Sequence, residues 1–226
     1  YMTQFRAWQG LQSYPSRTKD PDYVDFSTGS VGLPGSSAAF AALTRDFIES
    51  KGLKPTTGRI FAHVGDAELD EGTVWEAAAE PALEGLTRCI WVVDANRQSL
   101  DRVIPGIRIR RFETMLEVNG WTVILAKYGK KLQELFKLPG GDALRRRIDD
   151  MSNEEYQAML VAPVEEIRNR LLDGVRDSRI DLMRTINEVS DIELGQRIAN
   201  LGGHDIDTLA ESYKKASQAT GPSAVF

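Results

Sequence analysis

Two short acidic stretches carry the side chains of this sequence that are best suited to chemistry. The first, VGDAELDEG, covers residues 64–72, and the second, VVDANRQSLD, covers residues 92–101. Oxygen ligands without accompanying Cys or His side chains suit magnesium or calcium and not zinc or iron. A magnesium ion held by only two or three protein oxygens completes its shell with water and ligand phosphates. The two stretches therefore predict a metal site that receives a phosphorylated ligand.

A simpler explanation of the same residues stays open at this point. Acidic and amide side chains that follow strands are common as helix caps and as solvated loop residues. Thr73 and Glu76, for instance, have the spacing of a capping box for the helix that follows the first acidic stretch. The spacing of the acidic residues does not decide between a cap and a ligand site.

The elements around the two stretches predict a parallel sheet. RIFAHV (59–64), which contains His63, reads as a buried strand, the Ala-rich run after it as a helix reaching about Leu86, and RCIWVVDAN (88–96) as a second buried strand. Such a strand, helix and strand form a right-handed βαβ unit, which makes the two strands parallel. Both acidic stretches then lie at the carboxyl ends of strands, where open α/β sheets bind ligands.

The rest of the chain extends this α/β pattern and adds helices. We expect an irregular segment over 1–34 that covers a site, then a helix over 36–50 with Phe40, Leu43, Phe47 and Ile48 on one face. A helix at 108–119 and a strand at 121–128 follow. Residues 129–198 read as a helical insertion, and a helix at 206–219 leads back to a strand, SAVF. We predict one α/β domain over 1–226, with a mainly parallel sheet flanked by helices.

Composition restricts the classes of function. The chain has 226 residues, 42% of them hydrophobic, and a formal charge of −5. Acidic residues accompany its basic runs, which disfavours nucleic acid as a ligand. No membrane span or secretory signal is evident, and the single Cys89 suits a reducing compartment, so we expect a soluble, cytoplasmic protein. The start at Tyr1 and the end on a strand-like run suggest a subunit or a fragment of something longer.

Several motifs in order give the sequence a family resemblance. Asp66 precedes Asn96 by 30 residues, a pattern similar to the thiamine diphosphate motif. Together with VDFSTGSVGL, NRQSLD and NLGGHD, it resembles the homodimeric-type first component of 2-oxo acid (pyruvate or 2-oxobutyrate) dehydrogenase complexes, within the transketolase-like superfamily. The resemblance covers about residues 14–226. It implies the thiamine diphosphate-binding fold, with this chain as the domain that binds the diphosphate.

The resemblance implies a role for each matching residue of the acidic stretches. Asp66 and Asn96 would bind Mg²⁺ through their side chains and contact the cofactor, and Gln98 would bind the metal through its main-chain carbonyl. Gly65, Ala67 and Glu68 would lie against the diphosphate or the adjoining wall of the site. Ala67 departs from the motif, which has a second glycine at this position.

Further matches lie outside the two stretches. Val31, flanked by Ser30 and Gly32, would support the bent cofactor, and Tyr14 would lie near the thiazolium and the substrate. Pro34 and Gly35 depart from the usual continuation of that loop. His204 would transfer protons or orient the substrate and the lipoyl acceptor, with a turn residue ahead of an N-cap as the alternative role.

The function that the resemblance implies is decarboxylation of a small, pyruvate-like 2-oxo acid, with acyl transfer to a lipoyl-bearing acyltransferase component. The family's diphosphate-contacting histidines, and the glutamate that activates the aminopyrimidine, have no match in this chain. A pyrimidine-binding domain or subunit would therefore have to complete the site in an oligomer. Two alternatives stay open: a transketolase-like subunit for ketol transfer, and a non-catalytic assembly module that retains the fold.

Overall fold

The computed structural model describes residues 2–10, 13–14, 16–19, 24–53, 57–96, 98–99, 102–103 and 106–226. These residues form two compact units, one made of Tyr1–Val123 and Ala219–Ala224 and the other of Ile124–Gln218 and Val225–Phe226. The predicted α/β fold is confirmed by a sheet with helices around it. The assignment of a single domain with an insertion at 129–198 stays a prediction. Within the described parts of the chain, no helix has the length and apolarity needed to cross a bilayer.

The main sheet has four strands in the order β1-β2-β6-β5. Strands β1 and β2 pair in parallel from Ile60↔Cys89 to Gly65↔Asp94, as the βαβ pattern predicts. A separate two-stranded antiparallel ribbon joins β3 to β4. The strands are β1 Ile60–Gly65, β2 Cys89–Asp94, β3 Gln98–Ser99, β4 Arg102–Val103, β5 Thr122–Ile124 and β6 Ser223–Val225.

The first unit carries helices α1 Leu33–Ser50, α2 Gly72–Ala78 and α3 Gly106–Val118. The face of α1 that the sequence pattern marks with large apolar side chains is not the face that the helix buries. Its buried residues are Gly35, Ala38, Ala39 and Ala42, whereas Phe40 and Phe47 are 45% and 59% exposed. These small residues allow the axis of α1 to approach β1 and α2 closely. At the start of the helix, the indole N–H of Trp91 donates to the carbonyl oxygen of Gly35 at 3.2 Å.

The helix predicted to reach Leu86 is shorter. Helix α2 ends at Ala78, and a 3-10 helix covers Pro81–Leu83. Glu80 has an extended backbone conformation, as the residue before a proline prefers. The predicted capping box is also wrong, because Thr73 lies within the helix and the N-cap is Glu71, which makes no side-chain cap.

Strand β1 is less buried than its sequence predicts. Ala62 and Val64 are buried on one face, but Phe61 and His63 on the other face are exposed. Side chains of a strand alternate between the two faces of the sheet, so burial on one face leaves the other face to be covered by separate elements. In β2, by contrast, Cys89, Ile90 and Trp91 are fully buried.

The second unit is helical, and its core contains Leu132, Leu135, Leu144, Leu171 and Leu182, all with no exposed surface. Its helices are α4 Lys130–Phe136, α5 Gly141–Asp150, α6 Asn153–Leu160, α7 Val164–Leu172, α8 Arg179–Ile186, α9 Asp191–Ile198 and α10 Ile206–Ser217. Helical structure over 129–198 agrees with the charged helical pattern of this stretch.

Asp205 is the N-cap of α10 and ties this helix to the start of α4. Its carboxylate accepts hydrogen bonds from the backbone N–H of Thr208 at 2.8 Å, the amide of Asn200 at 3.2 Å and the backbone N–H of Lys130 at 3.2 Å. These bonds, that from Thr208 first, lower the pKa of Asp205 from 3.8 to about 2. The charged carboxylate is therefore the form that the folded chain favours.

We predict that acid weakens this cap within a defined pH range. Because the folded-state pKa lies below the unfolded value, the stabilisation is complete above about pH 3.8 and is lost as the pH falls towards 2. Asp205→Asn keeps a capping oxygen but cannot titrate, so its unfolding midpoint should fall less steeply in this range than that of the wild type. Calorimetric unfolding at several pH values measures the difference.

Asp207→Asn is the matched control, because Asp207 is an exposed residue in the first turn of the same helix. Equal slopes for Asp205→Asn and the wild type, with the control also unchanged, would contradict the assignment.

Candidate functional site

The first acidic stretch begins where strand β1 ends. Gly65 is the last residue of β1 and pairs with Asp94, the last residue of β2. Asp66 follows at once and begins a 3-10 helix, Asp66–Asp70. The parallel register thus brings the carboxyl ends of both strands to one edge of the sheet, as the sequence predicts.

Asp66 is the buried carboxylate of this edge. Its exposed fraction is 1%, whereas the flanking Ala67 and Glu68 are half-buried and Asp70 is exposed. A carboxylate removed from water in this way needs hydrogen bonds or a cation to offset its lost hydration. Among the acidic side chains of the first stretch, Asp66 is therefore the one whose burial fits a metal ligand.

Asn96 lies just beyond β2 and is exposed. Its amide nitrogen donates to the Asp94 carboxylate at 3.0 Å. A metal would be bound through the amide oxygen, so this hydrogen bond orients the Asn96 side chain without using the ligand atom. Asp94, the last residue of β2, accepts this hydrogen bond and so orients Asn96. The sequence pattern alone did not indicate this role for Asp94.

Gln98 begins the ribbon strand β3, where its backbone pairs with that of Val103. The Cα atoms of β3 come within 8 Å of those in the 3-10 helix that starts at Asp66. The main-chain carbonyl predicted as the third ligand therefore belongs to a segment beside the first acidic stretch. The side chain of Gln98 lies outside what the structure describes.

These groups can be compared with what magnesium requires. Asp66, Asn96 and the Gln98 carbonyl would supply one carboxylate oxygen, one amide oxygen and one carbonyl oxygen, a set of hard ligands that suits Mg²⁺. In the described part of the chain, no group of three or more His, Cys, Asp and Glu side chains is placed to hold a metal ion. The residues fit a magnesium ion that takes its remaining ligands from water and a diphosphate.

The loop that precedes α1 contains Ser30, Val31 and Gly32. Ser30 is exposed, and the Val31 side chain is 56% exposed. Gly32 is buried with φ +84°, and a Cβ atom placed on it would lie 2.7 Å from the Cβ of Glu71. Glycine is therefore required at this position both by the left-handed backbone and by the approach of Glu71.

Glu68 joins this loop to the first acidic stretch. One carboxylate oxygen accepts from the backbone N–H of Gly65 at 3.0 Å, and the other accepts from the backbone N–H of Gly32 at 2.9 Å. The sequence pattern did not predict this link, because Gly32 and Glu68 are 36 residues apart.

Tyr14 lies against the same loop. Its side chain is 62% exposed, and a Cβ atom placed on Gly29 would lie 3.5 Å from Cγ of the Tyr14 ring. The structure therefore brings Tyr14 to the segment that leads into Ser30 and Val31. Its neighbours Gln12 and Pro15 fall outside the described residues.

His204 belongs to the second unit. It ends a 3-10 helix, Gly202–His204, and its side chain is exposed. The Gly202 N–H donates to the carbonyl of Lys127 at 3.1 Å, and a Cβ atom on Gly202 would lie only 1.6 Å from the carbonyl oxygen of Ala126. Asp205 caps the next helix, as the turn interpretation predicts.

Trp75, Cys89 and His63 lie outside the proposed set of ligands. The indole nitrogen of Trp75 donates to the carbonyl of Leu69 at 2.7 Å, which ties α2 to the 3-10 helix of the site. Cys89 is buried in β2, and burial raises the pKa of its thiol to about 12, so it stays protonated. It packs as a small hydrophobe, as predicted. His63 is exposed, so the expectation that it lies inside a buried strand is wrong.

Several longer curated proteins are similar to this chain over most of its length. It is 28% identical over 216 residues to the "Pyruvate dehydrogenase E1 component" of Cupriavidus necator, a match covering 94% of this chain and 23% of that protein. The protein of the same name from Escherichia coli K12 is 26% identical over 220 residues, 96% of this chain and 24% of its own length. The Mycobacterium tuberculosis protein is 29% identical over 222 residues, 96% of this chain and 23% of its own length. The chain thus spans about a quarter of the length of these relatives.

A protein-family model also matches this chain. The model described as "Transketolase, thiamine diphosphate binding domain" matches residues 2–138, which include both acidic stretches and the loop before α1. This match covers more than half of the chain and contains every candidate residue of the first unit. The chain belongs to the transketolase family of thiamine diphosphate-binding domains and resembles the pyruvate dehydrogenase E1 components within it.

Proposed function

We propose that the protein containing this chain decarboxylates a pyruvate-like 2-oxo acid with thiamine diphosphate and Mg²⁺, and passes the acyl group to a lipoyl acceptor. In this proposal the chain supplies the diphosphate- and metal-binding half of the site. The observation that carries it is the parallel pairing that ends β1 and β2 at one edge of the sheet, just ahead of Asp66 and Asn96, in a domain of the thiamine diphosphate-binding family.

The proposed metal ligands are Asp66, Asn96 and the carbonyl of Gln98. The buried Asp66 would supply the negative charge, and the two neutral oxygens would complete the protein's share of the coordination shell. Such a site neutralises the negative charge of a diphosphate and holds it in place. Gly65 and Ala67, on either side of Asp66, would form the adjoining wall.

The proposed contacts to the organic part of the cofactor come from the loop before α1. Val31 has an exposed apolar side chain that could pack against a bent cofactor, and Ser30 and Gly32 set its position. When bound, thiamine diphosphate supplies the electron sink that a 2-oxo acid needs to lose carbon dioxide. Tyr14, beside this loop, would then face the cofactor and the substrate.

His204 is the proposed group for proton transfer or for orienting the substrate and lipoyl acceptor. An imidazole exchanges protons near neutral pH, which suits this role. The exposed position of the side chain leaves it accessible within its unit. The hydrogen bonds of Asp205 hold the loop that carries it.

The proposed partners follow from the length of the relatives. Because the chain matches about a quarter of each, a pyrimidine-binding domain or subunit would have to supply the glutamate that activates the cofactor and the additional histidines. We further propose an oligomeric protein in the cytoplasm that works with a lipoyl-bearing acyltransferase component. The lone, buried Cys89 supports a reducing compartment.

A transketolase-like ketol transfer is the second candidate, since the matching family model carries the transketolase name. Relatives that cover most of the chain include proteins named pyruvate dehydrogenase E1 component, which favours the 2-oxo acid reaction. Assays of the full-length protein with pyruvate plus a lipoyl domain, and with a ketose phosphate plus an aldose phosphate, distinguish the two. Turnover only in the second assay would replace our proposal with ketol transfer.

Calorimetric titration of the full-length protein tests whether a cofactor site exists. We expect heat of binding from thiamine diphosphate in the presence of Mg²⁺, and little when the metal is removed with a chelator. Absence of binding under both conditions would overturn the enzyme proposal and leave the assembly module as the remaining alternative.

For Asp66→Ala we predict a loss of metal-dependent cofactor affinity by about 100-fold or more, because even residues that only support metal ligands contribute about 10–100-fold. The dissociation constant for thiamine diphosphate, titrated at fixed Mg²⁺, measures this effect. Circular dichroism should show a retained fold. Glu76→Ala is the control, since Glu76 is an exposed carboxylate on the next helix. Affinity close to wild type in Asp66→Ala would refute the ligand assignment.

For His204→Ala we predict unchanged cofactor affinity and a decrease in kcat of about 10²–10⁴-fold, the usual contribution of a group that transfers protons. Steady-state decarboxylation and acyl transfer to a lipoyl domain measure the two steps separately. His63→Ala serves as the control, because His63 is the other histidine of the chain and is exposed on β1. Normal kinetics in both variants would leave His204 as a turn residue.

A further inference from the structure

The carboxylate of Glu68 connects two segments that the proposed function uses for different parts of the cofactor. Its oxygens accept the N–H groups of Gly65 and Gly32, at 3.0 and 2.9 Å. Gly65 directly precedes Asp66, and Gly32 directly follows Val31. A single side chain thus bridges the segment assigned to the metal and diphosphate and the loop assigned to the organic part of the cofactor.

The two hydrogen bonds of Glu68 differ in the sequence separation of the residues that they join. The bond to Gly65 spans three residues and is the half of a capping box in which the third helical residue reaches back to the N-cap. The bond to Gly32 spans 36 residues and joins separate parts of the chain. A glutamine at position 68 could make the first bond, since Gln also serves in capping boxes, but its amide group cannot accept a second N–H with its nitrogen.

The chemistry of the carboxylate argues against the direct cofactor contact that the sequence resemblance implies for Glu68. A negative charge facing a diphosphate repels it. Both carboxylate oxygens of Glu68 already accept hydrogen bonds from main-chain N–H groups. The hydrogen bonds therefore point inward, to the protein backbone.

The loop held by Glu68 has little freedom at its other contacts. Gly32 has a left-handed backbone and lies so close to Glu71 that a Cβ atom would clash. The Ser36 hydroxyl donates to the carbonyl of Thr73 at 3.0 Å, which connects α1 to α2 just beyond this loop. Glu68 adds the link between this loop and the end of strand β1.

We propose that Glu68 is a positioning residue, which sets the distance between the diphosphate-binding segment at Gly65 and Asp66 and the cofactor-supporting loop at Val31 and Gly32. This inference rests on the proposed function for its consequence, although the link itself is a property of the chain. It assigns Glu68 to the protein backbone instead of to the ligand. Loss of the link should affect ligands that touch both segments more than ligands that touch one.

The test compares two ligands on the full-length protein: thiamine diphosphate with Mg²⁺, and pyrophosphate with Mg²⁺. Glu68→Gln leaves one acceptor oxygen, and because glutamine also serves in capping boxes we expect it to keep the bond to Gly65 and to lose the bond to Gly32. We expect the dissociation constant for thiamine diphosphate to rise about tenfold or more, the effect of one hydrogen bond to a charged group, while that for pyrophosphate changes little. Glu68→Ala should weaken binding of both ligands. Glu76→Gln, which removes one charge from an exposed site on α2, should change neither.

Opposite results would overturn the proposal. If Glu68 acts only as a negative charge near the diphosphate, Glu68→Gln should strengthen the binding of both ligands. If Glu68 only maintains the local helix, thiamine diphosphate and pyrophosphate should weaken by the same factor. Either result removes the positioning role.

Hydrogen exchange of the backbone amides tests the link without any ligand. In the wild type, the amides of Gly32 and Gly65 should both exchange slowly. In Glu68→Gln, exchange at Gly32 should accelerate while Gly65 stays protected, and Glu76→Gln should match the wild type. Unchanged exchange at both Gly32 and Gly65 would refute the link, because a glutamine has only one oxygen with which to accept. A wild type that binds neither ligand would overturn the proposed function and the positioning role, whereas the exchange data would still decide whether the link exists.

Discussion

The parallel pairing of β1 with β2 is the constraint on which the candidate site depends. The paired register of the two strands runs to Gly65 and Asp94, so both strands end at the same edge of the sheet. Two stretches separated by about thirty residues of sequence become neighbours for this reason alone. In an antiparallel pair the same two stretches would lie at opposite ends of the strands, and no shared oxygen site could form.

Close packing behind the sheet keeps this edge in place. Helix α1 approaches through Gly35, Ala38, Ala39 and Ala42, and the Trp91 indole donates to the carbonyl of Gly35. The Trp91 ring also lies 4.2 Å from that of Trp121, measured between centroids. The Trp91 ring thus fills the space that the small helix residue Gly35 leaves. Trp75 and Glu68 make further hydrogen bonds to the backbone of the site.

The mistaken predictions share a physical cause, which is that local patterns do not report what packs against an element. Phe40 and Phe47 have the spacing of a core face, yet the Ala face of α1 is buried because only small residues permit its approach. The apolar run of β1 suggests burial on both sides, but Phe61 and His63 on one of its faces are exposed, because each face of a strand is covered by separate elements. Thr73 and Glu76 match a capping box, whereas the helix starts one residue before Thr73. In each case, neighbours distant in sequence decide the outcome.

The sequence by itself determined the α/β class, the parallel βαβ unit and the identity of the oxygen side chains at the strand ends, because residue periodicity and turn chemistry are local properties. It also contained enough ordered motifs to identify the thiamine diphosphate-binding family. Only the tertiary structure decided that Asp66 alone among its acidic neighbours is buried, and that Asp94 orients Asn96. It alone showed Glu68 facing two backbone N–H groups, because a hydrogen bond across 36 residues depends on how separate segments pack, which no local pattern encodes.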